Sequence, residues 1–303
     1  MTAAIPTDTA TAAQAHVVPA RHGRRERRRA SQAILLTIVA VLVAILFALP
    51  AIWMLFGSLE PGNSVIENVS PLSWHTLIPR EWTLSNYTTL FAVLGFLRPL
   101  INSLIVTFVS VAVGLAMSAP AAYALSVLHF RGREVVFSLL VIGFLVPFEA
   151  IAIPLAHVFT SWHLTDSYVG LILPGIGHGM AIFNLRQAFL SVPASLREAA
   201  IIDGASDFRV LSRIYVPLNA TAMINSGLLI FMGQWAAYLW PLLIITSNDM
   251  QVATIALART YSDHLVNFGQ MFGAALVISV VPAAVLFFLQ RHFSISIATS
   301  GEK

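Results

Sequence analysis

Long apolar windows alternate with short polar ones along this chain. Six windows, 33–56, 99–125, 135–159, 168–185, 219–246 and 269–289, are almost free of Asp, Glu, Lys and Arg, and only the third holds an ionisable acid, Glu149. A helix needs about 20 mostly apolar residues to cross a bilayer. The pattern therefore predicts an all-α, polytopic membrane bundle of six transmembrane helices. Proline and glycine punctuate the windows: Pro120 in the second, Pro147 and Pro154 in the third, Pro174 and Gly175 in the fourth, Pro241 in the fifth and Pro282 in the sixth. Neighbouring helices can satisfy the backbone groups that these residues free, and small residues permit close approach, so packed and bent spans are expected. The longest polar connection, 57–98, carries Trp74 and Trp82, and residues 83–87 read as a cap leading into a short amphipathic helix over 86–96.

Composition agrees with this pattern, since a chain of 303 residues that is 57% hydrophobic and 10% charged cannot cover a water-soluble globule with polar surface. Charge then orients the bundle, because cytoplasmic loops near membrane ends retain Lys and Arg. Fourteen of the 17 basic residues fall on one side: six between Arg21 and Arg29, then Arg131 and Arg133, then Arg186, Arg197, Arg209 and Arg213, and finally Arg291 and Lys303. Arg80, Arg98 and Arg259 fall on the other. Both termini and the segment around 191–217 are thus expected in the cytoplasm, and the loop 57–98 outside. In this layout 1–32 is a disordered basic tail, 33–56 the first span, 99–290 a core of five spans and 291–303 a second cytoplasmic tail. The Arg-rich start precedes an apolar run of full bilayer length with no small-residue cleavage pattern, so a retained span is expected and not a secretory signal. The net charge of +3 follows from this topology and implies no nucleic-acid partner.

Several chemistries are excluded. With no cysteine there are no disulfides and no thiolate metal sites. A phosphate-binding P-loop needs a lysine after its glycines, and the chain's one lysine is Lys303. Neither His-Glu-x-x-His nor Gly-x-Ser-x-Gly occurs. The glycines at 175, 177 and 179 imitate a nucleotide loop but sit inside an apolar window, where helix packing explains them better.

The most informative polar stretch is 198–217, between the fourth and fifth windows. Pro193 suits a first helical turn, 194–203 can form a short helix, and Gly204 can take the left-handed conformation that ends it. Ser206 or Asp207 can cap a second helix carrying Phe208, Leu211 and Tyr215 on one face, and Pro217 disfavours its straight continuation. Glu198-Ala199-Ala200-x-x-Asp203-Gly204-Ala205, followed by Ile214-x-x-Pro217-Leu218, resembles the cytoplasmic "EAA" loop of permease subunits of bacterial ABC importers. Stretches such as 121–125, 130–133, 170–174, 185–187 and 239–242 make the chain similar, over about 30–290, to the six-span subunit of maltose-type carbohydrate importers. The resemblance implies a heterodimer with a second permease, two ATPase subunits that supply ATP and Mg, an external solute-binding protein, and no cofactor on this chain. It implies that Glu198, Ala199, Ala200, Asp203, Gly204 and Ala205 dock and couple to an ATPase. Two departures stand out. Thr221 and Ala222 replace a proline common in relatives, and Trp235 is followed by Ala236 and Ala237 where relatives often carry polar residues.

An acid at membrane depth is costly and usually faces a cavity or a polar partner. Three roles are open to Glu149: a lining residue on a solute path, an acceptor for backbone N–H groups freed by the nearby prolines, or a residue nearer the interface than its window implies. Asn102, Asn225 and Gln234 are further path candidates, which interhelical hydrogen bonding would explain equally well. Importers of glycerol phosphate esters or other polar solutes share these features. An independent secondary carrier is the alternative from another class, and a single Glu149 gives it little ion-coupling chemistry.

Overall fold

A computed structural model describes residues 22–62, 64–69, 74–76, 78–262 and 267–300, and every regular element among them is helical. The expected disordered tail lies outside the described residues as far as residue 21; from His22 onward the chain is already helical. The chain divides into two units, 1–52 and 53–303. The first unit holds most of helix α1 (His22–Ser58), whose stretch Gln32–Ser58 contains an 18-residue window of mean hydropathy 2.9. Its Leu35, Leu42 and Phe47 are exposed, as suits a helix solvated by lipid.

The second unit begins with the end of α1 and the polar connection, where α2 (Ser64–Glu67) and α3 (Ser85–Thr88) are single turns. The Thr83 hydroxyl accepts from the Ser85 N–H at 3.0 Å across the turn into α3, whose cap position is Leu84 with no side-chain cap hydrogen bond. The amphipathic helix expected over 86–96 instead changes to a π-helical turn at Thr89–Val93 and stops before Gly95, which has φ +62. Buried Asn86 fastens this turn by donating to the carbonyls of Ser58 and Glu60 at 2.9 and 2.7 Å.

At the centre runs α4 (Leu97–Ser126), with Pro120 inside it. Then come α5 (Arg133–Leu145) and α6 (Phe148–Ser161), bent by 93°, followed by α7 (Tyr168–Ile172) and α8 (Gly179–Leu190), across which the chain bends by 44°. The polar segment forms α9 (Ala194–Ile202), α10 (Asp207–Val210), a π-helical turn at Leu211–Tyr215 and α11 (Val216–Leu218), turned by 87° from α12 (Ala220–Trp235). Helices α13 (Leu239–Ile244), α14 (Ala253–Ser262) and α15 (Phe268–Ser300) complete the chain.

The third window is therefore not one straight helix. Pro147 lacks an N–H and disfavours helical geometry at the residue before it, and Val146 is extended at φ −69, ψ 120. Likewise the fifth window holds two helices, α12 and α13. Three helical stretches, Gln32–Ser58, Leu97–Ser126 and Phe268–Arg291, are each long and apolar enough to cross a bilayer, and there are up to six spans if each bent pair is one.

The core forms where α4, α8 and α12 pack against one another. One cluster, with Ala122, Tyr123, Leu185, Phe189, Val210 and Tyr215, lies at the C-terminal end of α4 beside the polar segment. A second, with Phe159, Leu171, Trp240, Ile244 and Ile255, joins α6, α7, α13 and α14.

Candidate functional site

The polar segment folds much as its residue order dictates. Pro193 precedes the first helical residue in an extended conformation, as the cap of α9 and not as its first residue. At the far end Gly204 takes φ +78, and its N–H reaches the Ile201 carbonyl at 2.9 Å while the Ala205 N–H reaches that of Ala200 at 2.9 Å. A Cβ at that backbone angle would be strained, which is why glycine ends the helix there. The Ser206 hydroxyl caps α10 by accepting from the Arg209 N–H at 3.4 Å. Leu211 and Tyr215 are buried as expected, but Phe208 is 75% exposed and Val210 takes the inner position. The inner face of this helix therefore runs through Val210, Leu211 and Tyr215, and Phe208 lies off it.

Glu198, Ala199, Asp203 and Gly204 are exposed, whereas Ala200 and Ala205 are half-buried against the core cluster. The segment thus has two faces. It also exposes two large apolar side chains, Ile202 at 86% and Phe208.

Arginines grip the C-terminal end of α4. Arg186, 8% exposed on α8, donates Nε to the Leu125 carbonyl at 2.9 Å and Nη2 to both carboxylate oxygens of Glu134 at 3.2 Å, with its guanidinium 3.9 Å from the Phe137 ring centre. Arg133 reaches the Ser126 and Leu128 carbonyls at 3.5 and 3.3 Å. Cations are favoured there because the last carbonyls of a helix are unpaired and carry partial negative charge. A third contact comes from the polar segment. Arg197 meets Asp207 at 3.0 Å, and both meet the hydroxyl of Tyr123, Asp207 at 2.9 Å and Arg197 at 3.3 Å. The Tyr123 hydrogen bond and the Arg197 charge hold the Asp207 carboxyl below the usual carboxylate range.

A cavity of about 580 Å³ opens between the start of α6, the α7–α8 bend and the end of α12. Glu149, Gln234, His178 and Tyr238 contribute polar groups and Phe148, Tyr238 and Trp240 aromatic rings, and no lysine or arginine lines it among the described residues. Glu149 sits in the first turn of α6, directly after the Pro147 break, where the helix dipole favours a negative charge. Glu149 is exposed, and among the described residues its carboxylate receives no hydrogen bond from the freed backbone groups. Gln234 donates to the Leu171 carbonyl at 3.3 Å, and a Cβ at Gly175 would stand 2.6 Å from its Oε1. A Cβ at Gly179 would meet Phe144 at 2.7 Å, so these glycines serve close packing.

The four path candidates separate. Glu149 and Gln234 share the cavity. Asn102 lies elsewhere, 2% exposed, donating to the Asp249 and Gln251 carbonyls at 2.9 and 2.8 Å and accepting from Tyr168 at 2.8 Å. Asn225 does not line the cavity, and its Oδ1 is buried without a hydrogen-bond partner.

Sequence reasoning missed the Tyr123 and Arg186 clusters. An arginine at the edge of an apolar window was the available signal for Arg186; Tyr123 stood out only within the family-like stretch 121–125, and nothing there pointed to its partners, which lie 74 and 84 residues away. Also unmarked was Asp166, which bonds the N–H groups of Thr246 and Ser247 at 2.8 Å and so ties the α6–α7 turn to the end of α13.

Among known families, the one described as "Binding-protein-dependent transport system inner membrane component" matches residues 110–298. The chain is 31% identical over 271 residues to the arabinooligosaccharides transport system permease protein AraQ of Halalkalibacterium halodurans, covering 89% of this chain and 96% of that one. It is 28% identical over 255 residues to the lactose transport system permease protein LacG of Rhizobium radiobacter, covering 84% and 91%. Its fold matches a chain from the crystal structure of a bacterial ABC transporter involved in the import of the acidic polysaccharide alginate, with TM-score 0.72 and 24% identity over 88% of this chain and 97% of that chain.

Proposed function

The chain belongs to the family of binding-protein-dependent transport system inner membrane components, and from that premise we propose that it is the permease subunit of an ATP-driven importer of sugars or oligosaccharides. Transport proteins named for arabinooligosaccharides and for lactose support the cargo class. The subunit lies in the bacterial inner membrane as a bundle of six spans with both termini in the cytoplasm. It pairs with a second permease, receives solute from an external binding protein, and has no ATPase site or cofactor of its own. ATP and Mg act on two partner subunits.

The observation that carries this reading is the two-faced segment α9–α10. Glu198, Ala199, Asp203 and Gly204 point outward on a small, glycine-terminated turn, and Ala200 and Ala205 lie against the core. Such a surface can seat in a partner's groove and transmit its displacement. ATPase closure then rocks the spans between inward-facing and outward-facing states, and Glu149 and Gln234 line part of the solute path.

Co-purification of the assembled complex tests the docking role. Replacing Glu198 by Ala and Gly204 by Val is expected to reduce ATPase recovery and uptake together while the permease pair remains in the membrane. Normal recovery with normal uptake would remove Glu198 and Gly204 from the interface.

A further inference from the structure

Helix α9 buries none of its residues, and α10 buries only Val210. Any load applied to their outer face must reach the spans through whatever fastens the inner face. Ala200 and Ala205 contribute only methyl groups there, which offer little resistance to sliding. The polar fastening is concentrated at one atom, the hydroxyl of Tyr123 on α4. It donates its proton to Asp207 Oδ1 at 2.9 Å and accepts from Arg197 Nε at 3.3 Å.

The Arg197–Asp207 pair itself is partly solvated, with side chains 24% and 48% exposed. Exposed pairs of this kind hold geometry weakly. Tyr123, by contrast, is 3% exposed. Its ring is seated edge-on against Tyr215 at 5.1 Å, and Tyr215 against Phe189 of α8 at 5.5 Å. One fixed phenol therefore meets an arginine from α9 and an aspartate from α10. Because Arg186 and Arg133 clamp the carbonyls of the same helix end, displacement of that end also engages α5 and α8.

We infer that Tyr123 is a positioning residue for transport, its hydroxyl joining Arg197 and Asp207 so that α9, α10 and the C-terminal end of α4 move as one body. This rests on the importer reading above and specifies how the docking segment is attached to the spans. A hydroxyl is suited to the task because it can donate to the carboxylate and accept from the guanidinium at once, which neither phenylalanine nor an aliphatic residue can do.

The test uses the complete complex in lipid, with spin labels on this naturally cysteine-free chain at Met117→Cys in α4 and Ser195→Cys in α9, the other subunits being freed of cysteine. The distance distribution is measured without nucleotide and after trapping with ATP and vanadate. With Tyr123 intact, a narrow distribution that does not shift on trapping is expected. In Tyr123→Phe, which keeps the ring, the distribution is expected to broaden and shift on trapping while bound ATPase is retained. A Tyr123→Phe distribution as narrow and unshifted as the wild type overturns the inference, and so does a wild-type distance that changes on trapping. Should Tyr123→Phe fail to assemble, Asp207→Asn carries the same readout and the same two outcomes. Absence of ATPase from the wild-type complex would instead sink the importer reading, and this inference with it.

Discussion

Arg186 illustrates how one side chain can hold three elements in a bundle that has little polar chemistry. Its guanidinium satisfies a carbonyl at the end of α4, a carboxylate at the start of α5 and the face of Phe137. Arg186→Ala leaves the carbonyl unpaired in a buried place and is expected to cost about 2 kcal/mol, read as a lower melting temperature in detergent. Arg186→Lys should recover only part of that loss, since an ammonium lacks the planar fork. Asp166 gives a pH-dependent counterpart. Burial pushes its carboxyl up, but hydrogen bonds from the Thr246 hydroxyl and the Ser247 and Thr246 N–H groups outweigh this and bring it down to about 2. A carboxyl lowered in the folded state stabilises above its unfolded value near 3.8, and the contribution disappears as pH falls through about 2. Thermal stability of the wild type is therefore expected to fall between those values, and Asp166→Asn should flatten that part of the profile. Equal slopes in the two proteins would show that the Asp166 bonds contribute nothing.

At the scale of elements, close approach decides which glycines matter. A Cβ at Gly170 in α7 would collide with the backbone oxygen of Leu164, which cannot move aside as a flexible side chain would. Gly170→Ala is expected to abolish or sharply reduce folded yield. Gly143 in α5 has nothing within 4 Å of an added Cβ, so Gly143→Ala should be neutral or add up to about 1 kcal/mol of helix stability. Comparing the two by size-exclusion yield separates packing from propensity. The breaks between elements follow the same division between local and distant causes. Pro147 halts α5 because its ring acts on the adjoining residue, which any sequence reveals. Pro120 and Pro282 sit inside intact helices, because membrane bundles can satisfy the freed groups from neighbours.

For the whole molecule, the cavity is the part that tertiary folding creates. Glu149 and Gln234 are 85 positions apart in the chain yet line one space. Glu149→Gln keeps the shape and removes the charge, so uptake kinetics are expected to change by severalfold at unchanged complex yield. Identical kinetics would remove Glu149 from the path. The helical class, the apolar windows and the glycine-ended turn at Gly204 were determined by the sequence alone, because hydropathy, helical period and a positive φ are properties of a residue and its near neighbours. The extent of each helix was only partly legible: the fifth window divides into α12 and α13, and the π-helical turn at Leu211–Tyr215 leaves no signature in residue type. Only the tertiary structure decided that Asn102 is spent on the Asp249 and Gln251 carbonyls, that Glu149 faces open space, and that Tyr123 meets both Arg197 and Asp207. Each depends on which distant segment arrives at a given place. Packing among α4, α8 and α12 sets that arrival, and no stretch of sequence carries it alone.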